Sequence, residues 1–91
     1  MPLRRGKIGG YDSERMAFGF TMLNGDETVE CQISDAALDE LAGTRGTPSI
    51  ARQAQFVALR DTIEKIASDL FDSGPVVKGA VIRIFTKHIR R

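Results

Sequence analysis

The segment from Met16 to Ile33 constrains this chain more than any other part of it. Met16, Phe18, Phe20 and Met22 alternate with Ala17, Gly19, Thr21 and Leu23. That period of two puts one set of side chains on each face of a strand. Asn24-Gly25 follows at once, and both residues tolerate the positive φ that hairpin turns need. Residues 28–33 alternate again, with Val29, Cys31 and Ile33 inward and Thr28, Glu30 and Gln32 outward. The pattern predicts a β-hairpin whose first strand is bulky on one face and small on the other. A lone hairpin is marginal in water, so the bulky face must find a cover.

Helices further along the chain supply that cover. Ser34 is placed to cap a helix by accepting from free backbone N–H groups, and Asp35 adds negative charge at the positive end of the helix dipole. A short helix Asp35–Ala42 is predicted, presenting Ala37, Leu38 and Leu41, and Gly43 can close it in the left-handed conformation. Thr47-Pro48 restarts a helix, since proline at the first helical position forfeits no hydrogen bond. Phe56, Leu59, Ile63, Ile66 and Leu70 recur at spacings of three and four, which predicts one long amphipathic helix over 47–73. Ser73-Gly74-Pro75 ends it. A last strand is expected over 80–89, with Ile82 and Ile84 on one face and Val81, Arg83, Phe85 and Lys87 on the other.

These elements predict an α+β fold in which both helices lie on one face of a small antiparallel sheet. The final strand is expected beside the 16–23 strand, giving the order 2-1-3 with the most apolar strand central. The 91 residues form one domain, of which residues 1–10, rich in Gly and Arg, are expected to be irregular or a short edge strand anchored by Ile8 and Tyr11. At 42% apolar and 27% charged residues, the composition is that of a globular chain rather than a disordered one. Cys31 is the single cysteine, which rules out an internal disulfide and fits a reducing, cytoplasmic setting. The basic start is not followed by an apolar run of secretory or membrane-spanning length, so neither export nor a bilayer partner is expected. The net charge of +1 conceals a dipole. Between residues 16 and 46 six acids face Arg45 alone, whereas the chain from Gly74 on carries five cations and no acid. Such asymmetry bears on association.

Particular residues also resemble a known family. They are Tyr11-Asp12 with Arg15, the strand carrying Ala17 and Phe20, a glycine in the hairpin turn, and a helix carrying Ser34, Ala37, Leu38 and Leu41. A second helix adds Phe56, Arg60, Ile63 and Ala67, and a short strand closes the chain. This order resembles the bacterial domain-of-unknown-function family numbered 1488 over nearly the whole sequence. The resemblance implies a cytoplasmic bacterial protein with no assigned activity, and it designates no catalytic residue.

The chemistry-bearing residues do not assemble into a catalytic set. His88 is the sole histidine and is expected at the surface, since a zinc site needs about four ligands. Cys31 shares the phase of Val29 and Ile33 and is read as a small buried hydrophobe, with Glu30 raising its pKa further. Gly6-x-x-Gly9-Gly10 neither follows a strand nor opens a helix, as a phosphate loop must. Asp61, Glu64, Asp69 and Asp72 alternate with Arg60 and Lys65, the pattern of a solvated face with intrahelical pairs. No catalytic residue, cofactor or metal is assigned.

Two readings concern the sheet face left uncovered. Ala17, Gly19, Leu23, Val81 and Phe85 would form an apolar strip there, which a second copy of the chain could bury as a homodimer, or the N-terminal segment could cross. On the same face Arg83, Phe85 and Lys87, with Arg90 and Arg91 beyond, offer an aromatic ring among cations. RNA-binding sheets hold bases and phosphates with such groups. Phe85 could equally cover Gly19 on a neighbouring strand. The sequence thus points to a non-enzymatic interaction or accessory protein, with RNA or single-stranded DNA binding as the alternative.

Overall fold

One strand that buries two phenylalanines, Phe18 and Phe20, under three helices organises the molecule. The computed structural model of the chain describes residues 3–73 and 81–89. Strands β1 (Arg4–Asp12), β2 (Ala17–Asn24) and β3 (Glu27–Ser34) precede helices α1 (Asp35–Ala42), α2 (Arg52–Ala58) and α3 (Arg60–Ser73), and β4 (Ile82–Ile84) follows. Among the described residues these strands form one sheet in the order β1-β2-β3-β4.

The hairpin forms in the expected register. Phe20 stands opposite Cys31 and Phe18 opposite Ile33, and Asn24 pairs with Glu27 across a two-residue loop. Gly25 takes φ 62° at the first loop position, as a primed hairpin turn requires. Phe18, Phe20 and Met22 are almost completely buried, and Phe56 and Ile63 reach them from the helical layer. The Phe56 ring lies 5.0 Å from that of Phe18 and 4.9 Å from that of Phe20. Each such side chain contributes roughly 1.5–3 kcal/mol of burial, and each aromatic pair about 0.5–1.5 kcal/mol more. Ala37, Leu38, Ala67 and Ile84 complete the same core, so all three helices cover one face.

The expected strand order is corrected. Residues 4–12 form a full edge strand, not an irregular run or a short one, and they take the flank of β2 assigned to the final strand. The N-terminal strand escapes a period-two reading because its register slips twice, between Arg5 and Ile8 and between Ile8 and Gly10. Arg5, Ile8 and Tyr11, each three residues apart, thereby all stand opposite core-facing residues of β2. The glycines of this segment serve close approach. A Cβ at Gly6 would collide with the Thr21 carbonyl, and one at Gly9 would stand 2.8 Å from the Gly19 carbonyl oxygen. At the slip the Lys7 N–H donates to Thr21 Oγ1 at 2.8 Å, which replaces a ladder bond.

With that flank filled, β4 joins the other edge and runs parallel to β3, pairing Ile82 with Cys31 and Ile84 with Ile33. A parallel neighbour requires a long crossover, which the three helices provide. The strand is also shorter than residues 80–89. Residues 86–88 turn into a 3-10 helix, and residue 80 lies outside the described residues.

The helix starts and stops are those expected for α1. Ser34 Oγ accepts the Ala37 N–H at 3.1 Å, and Gly43 closes the helix at φ 71°. The long helix over 47–73 is instead divided. Pro48 precedes a 3-10 turn, Ser49–Ala51, and Leu59 (φ −109°, ψ 11°) separates α2 from α3. Neither proline nor glycine marks the break. The Leu59 N–H is shared between the Gln55 and Phe56 carbonyls, and the Ile63 N–H donates to the Leu59 carbonyl, so Leu59 is hydrogen-bonded to the helix on each side of the bend. No described helix is long and apolar enough to cross a membrane.

Candidate functional site

Charged side chains beneath the helices are held in structural pairs. Arg52, only 4% exposed, donates to Asp39 Oδ1 at 2.7 Å and to Gln55 Oε1 at 2.8 Å. Asp39 Oδ1 also accepts from Thr47 at 2.6 Å, Gln55 at 3.0 Å and Thr44 at 3.1 Å. The Arg52 hydrogen bond holds the Asp39 carboxyl well below the usual carboxylate range against the opposing effect of burial, and Thr47, Gln55 and Thr44 reinforce it. Asp35 extends the network. Its Oδ2 accepts the Tyr11 hydroxyl at 2.7 Å, which raises the tyrosine pKa, while its Oδ1 faces Arg52 Nε at 3.4 Å without a hydrogen bond to either atom. The network ties β1, α1, the 43–48 loop and α2 together.

Sequence reasoning missed this network, although one signal was present. Asp35 and Asp39 are four apart, hence on one face of α1, and Arg52 opens the apolar stripe of the next helix. A second cluster ties β1 to α3. Arg5 donates to both carboxylate oxygens of Glu64 at 3.0 Å and to Asp61 at 2.6 Å, and Arg60 reaches Glu64 at 3.0 Å and the Gly6 carbonyl at 3.1 Å. The intrahelical pairs Arg60–Glu64 and Lys65–Asp69 both form, but only the second lies on a solvated face as expected. Arg60 and Glu64 are largely buried, and Arg5 adds the cross-element contact that the pattern could not reveal.

The opposite face of the sheet is different, for among the described residues no helix lies on it. Near β4 it holds a shallow depression of about 250 Å³ lined by Arg15, Ala17, Gln32, Ser34, Arg83 and Phe85, with the Ile84 segment at its edge. Registry explains the grouping. Gln32 stands beside Arg83, and Ser34 is opposite Ala17, whose single methyl leaves the floor low. Arg15 arrives from the β1–β2 turn, where Asp12 Oδ1 accepts the N–H groups of Glu14 and Arg15.

Of the residues predicted for this face, the structure therefore unites Arg83 and Phe85. Lys87 is carried away by the 3-10 turn and lines a different hollow with His88, and Arg90 and Arg91 lie outside the described residues. The expected apolar strip is not continuous. Ala17 is buried, Gly19 and Leu23 are half-buried, and Leu23 pairs with Arg4 at the far end from Phe85. Val81 and Phe85 are exposed, at 36% and 45%. Phe85 cannot cover Gly19, because Gly19 is flanked by Gly10 and Gln32 and β3 intervenes. Arg15 and Gln32 were missed as site residues, since the assumed strand order put β4 beside β2 instead of beside β3.

The remaining candidates are accounted for by their surroundings. Cys31 is buried, and burial followed by the charge of Glu30 pushes its thiol up to about 12. A thiol with that pKa is a poor nucleophile at neutral pH. His88 Nδ1 accepts the Phe85 N–H at 2.9 Å, so the imidazole is neutral with its proton on Nε2. Burial, then Lys87, lowers its pKa. In the hollow it helps to line, with Leu41, Ile66 and Leu70, the one carboxylate is Asp69, which pairs with Lys65 at 3.4 Å. Among the described residues no three His, Cys, Asp or Glu side chains are grouped to hold a metal.

A four-stranded mixed sheet roofed by helices on one side defines a small α+β protein of unassigned activity. The chain belongs to the DUF1488 family, a family of proteins of unknown function, whose model matches residues 8–82. Arg15, Gln32 and Ser34 fall inside the match, and Arg83 and Phe85 just beyond it. The fold is similar to the crystal structure of a protein of unknown function from the same family in Shewanella loihica PV-4. That likeness has a TM-score of 0.71 at 23% identity and covers 81% of each chain. No curated protein matches the sequence.

Proposed function

We propose that this chain is a non-enzymatic accessory protein that acts by binding through the bare face of its sheet, at the β3–β4 end. One observation supports this reading above the others. Arg5, Arg52 and Arg60 each hold a carboxylate, whereas Arg83 makes no hydrogen bond or ion pair among the described residues and stands beside the exposed ring of Phe85. An exposed guanidinium left without a partner on an edge strand is available to something outside the chain. The buried free thiol of Cys31 suits a reducing compartment, and we place the protein in the cytoplasm.

The test compares wild-type protein with the double variant Arg83→Glu, Phe85→Ala, both immobilised and exposed to the same lysate. A species held by the wild type and lost by the variant is expected, and identical retained sets would contradict the reading. A second copy of the chain is one candidate occupant, because Val81 and Phe85 are both exposed near this end. Sedimentation velocity at micromolar concentration identifies it, through a dimer that Phe85→Glu dissociates.

A further inference from the structure

We infer that the depression between Arg15 and Arg83 receives one nucleotide of a single-stranded nucleic acid, its phosphate on the two guanidinium groups and its base against Phe85. The inference rests on the binding reading above and names the occupant. Its first support is size. Sites that enclose a free small molecule measure roughly 300–1,000 Å³. At about 250 Å³ and shallow, this one suits a single unit of a longer chain drawn across an open sheet.

The second support is the inventory of polar groups. Arg83 has no partner among the described residues, and the nearest anion to Arg15 is Asp12, at 3.8 Å. Planar guanidinium groups are suited to phosphate, which they can grip with two parallel hydrogen bonds. Ser34 Oγ already accepts from the Ala37 N–H, which leaves its own hydrogen to donate. Gln32, next to Arg83 in the register, adds an amide that makes no hydrogen bond among the described residues. The third support is Phe85. Its ring is 45% exposed beside the cations and makes one ring contact, a tilted one with His88 at 6.0 Å, which leaves exposed ring surface for stacking. An acidic peptide would use the arginines and leave that ring idle, whereas every nucleobase has a face to lay on it. Glu30, two residues from Gln32 on the same strand, directs a polyanion across the strands from Arg15 to Arg83 and away from the hairpin end.

Fluorescence anisotropy with a labelled oligouridylate, and with an oligoglutamate peptide of equal charge, tests the assignment. Oligouridylate should bind, and weaken steeply between roughly 50 and 200 mM salt. Arg83→Ala should lower the log–log salt slope by about 0.7, the value for one phosphate contact on a single strand. Phe85→Ala should weaken binding on the order of tenfold, as loss of one stacked base does. Phe85→Leu, which keeps bulk without the ring, should weaken it similarly while melting as the wild type does. No oligouridylate binding at low salt would overturn the inference, as would binding indifferent to both positions. Binding of oligoglutamate alone, lost in Arg83→Ala, would overturn the nucleic-acid occupant and leave the open-face reading standing. If neither polymer binds and the lysate comparison also shows no dependence on this face, both fall.

Discussion

The two faces of the sheet treat arginine in opposite ways. Under the helices, Arg52 is buried with two acids and an amide around it, and the Arg5–Arg60–Glu64 cluster links the edge strand to α3. On the bare face, Arg15 and Arg83 border a hollow and hold little. The difference is one of energetics. A buried guanidinium must be paired because desolvation would otherwise cost several kcal/mol, so its partners report on the fold. An exposed guanidinium carries no such requirement, which is why we propose that Arg83, beside an aromatic ring, serves a ligand.

If that contrast is right, substitutions on the two sides should separate stability from binding. Arg52→Ala should have the largest effect, a loss of about 3–5 kcal/mol in urea unfolding, because Asp35 and Asp39 are left as uncompensated charges. Tyr11→Phe removes one hydrogen bond to a carboxylate in the same network and should cost about 1.5–3 kcal/mol by the same measurement. Arg83→Ala should change stability by less than about 0.5 kcal/mol, as for surface positions free of structural ties. A large loss of stability in Arg83→Ala, or none in Arg52→Ala, would dissolve the comparison.

The smallest effect concerns His88 and pH. Its neutral ring accepts the Phe85 N–H, and its pKa lies below the ordinary 6.5. The unfolded chain therefore takes up a proton before the folded one does, and stability rises with pH across that interval. The contribution is complete above pH 6.5 and is lost as pH falls through the folded value. An NMR titration should show the His88 ring titrating below 6.5, with the Phe85 amide shifting in step. An imidazole midpoint above 6.5 would contradict this account of His88.

Much of this architecture was legible because it is written at short range. The Phe18-Phe20-Met22 alternation, the glycine in the hairpin, the Ser34 cap and the Gly43 stop are local rules, and each holds in the structure. The edge strand was hidden because two bulges erase its period, so Ile8 and Tyr11 share a side without sharing a parity. That omission displaced β4 to the wrong edge and separated Arg83 from Gln32 and Ser34 on paper. The Leu59 bend had no residue-type marker. The buried Arg52 network depends on which helices meet, which no single segment specifies. At the candidate site, Arg83 and Phe85 were visible from strand parity alone, while Arg15 required the correct strand order.

The central claim, that the bare face near β4 is where this protein meets its ligand, is tested most directly by amide chemical-shift mapping of the full chain titrated with oligouridylate. The account predicts that the largest shifts fall on Arg15, Gln32, Ser34, Arg83 and Phe85, with α3 unmoved. Shifts centred on α2 and α3, or none on the sheet at saturating oligonucleotide, would contradict it.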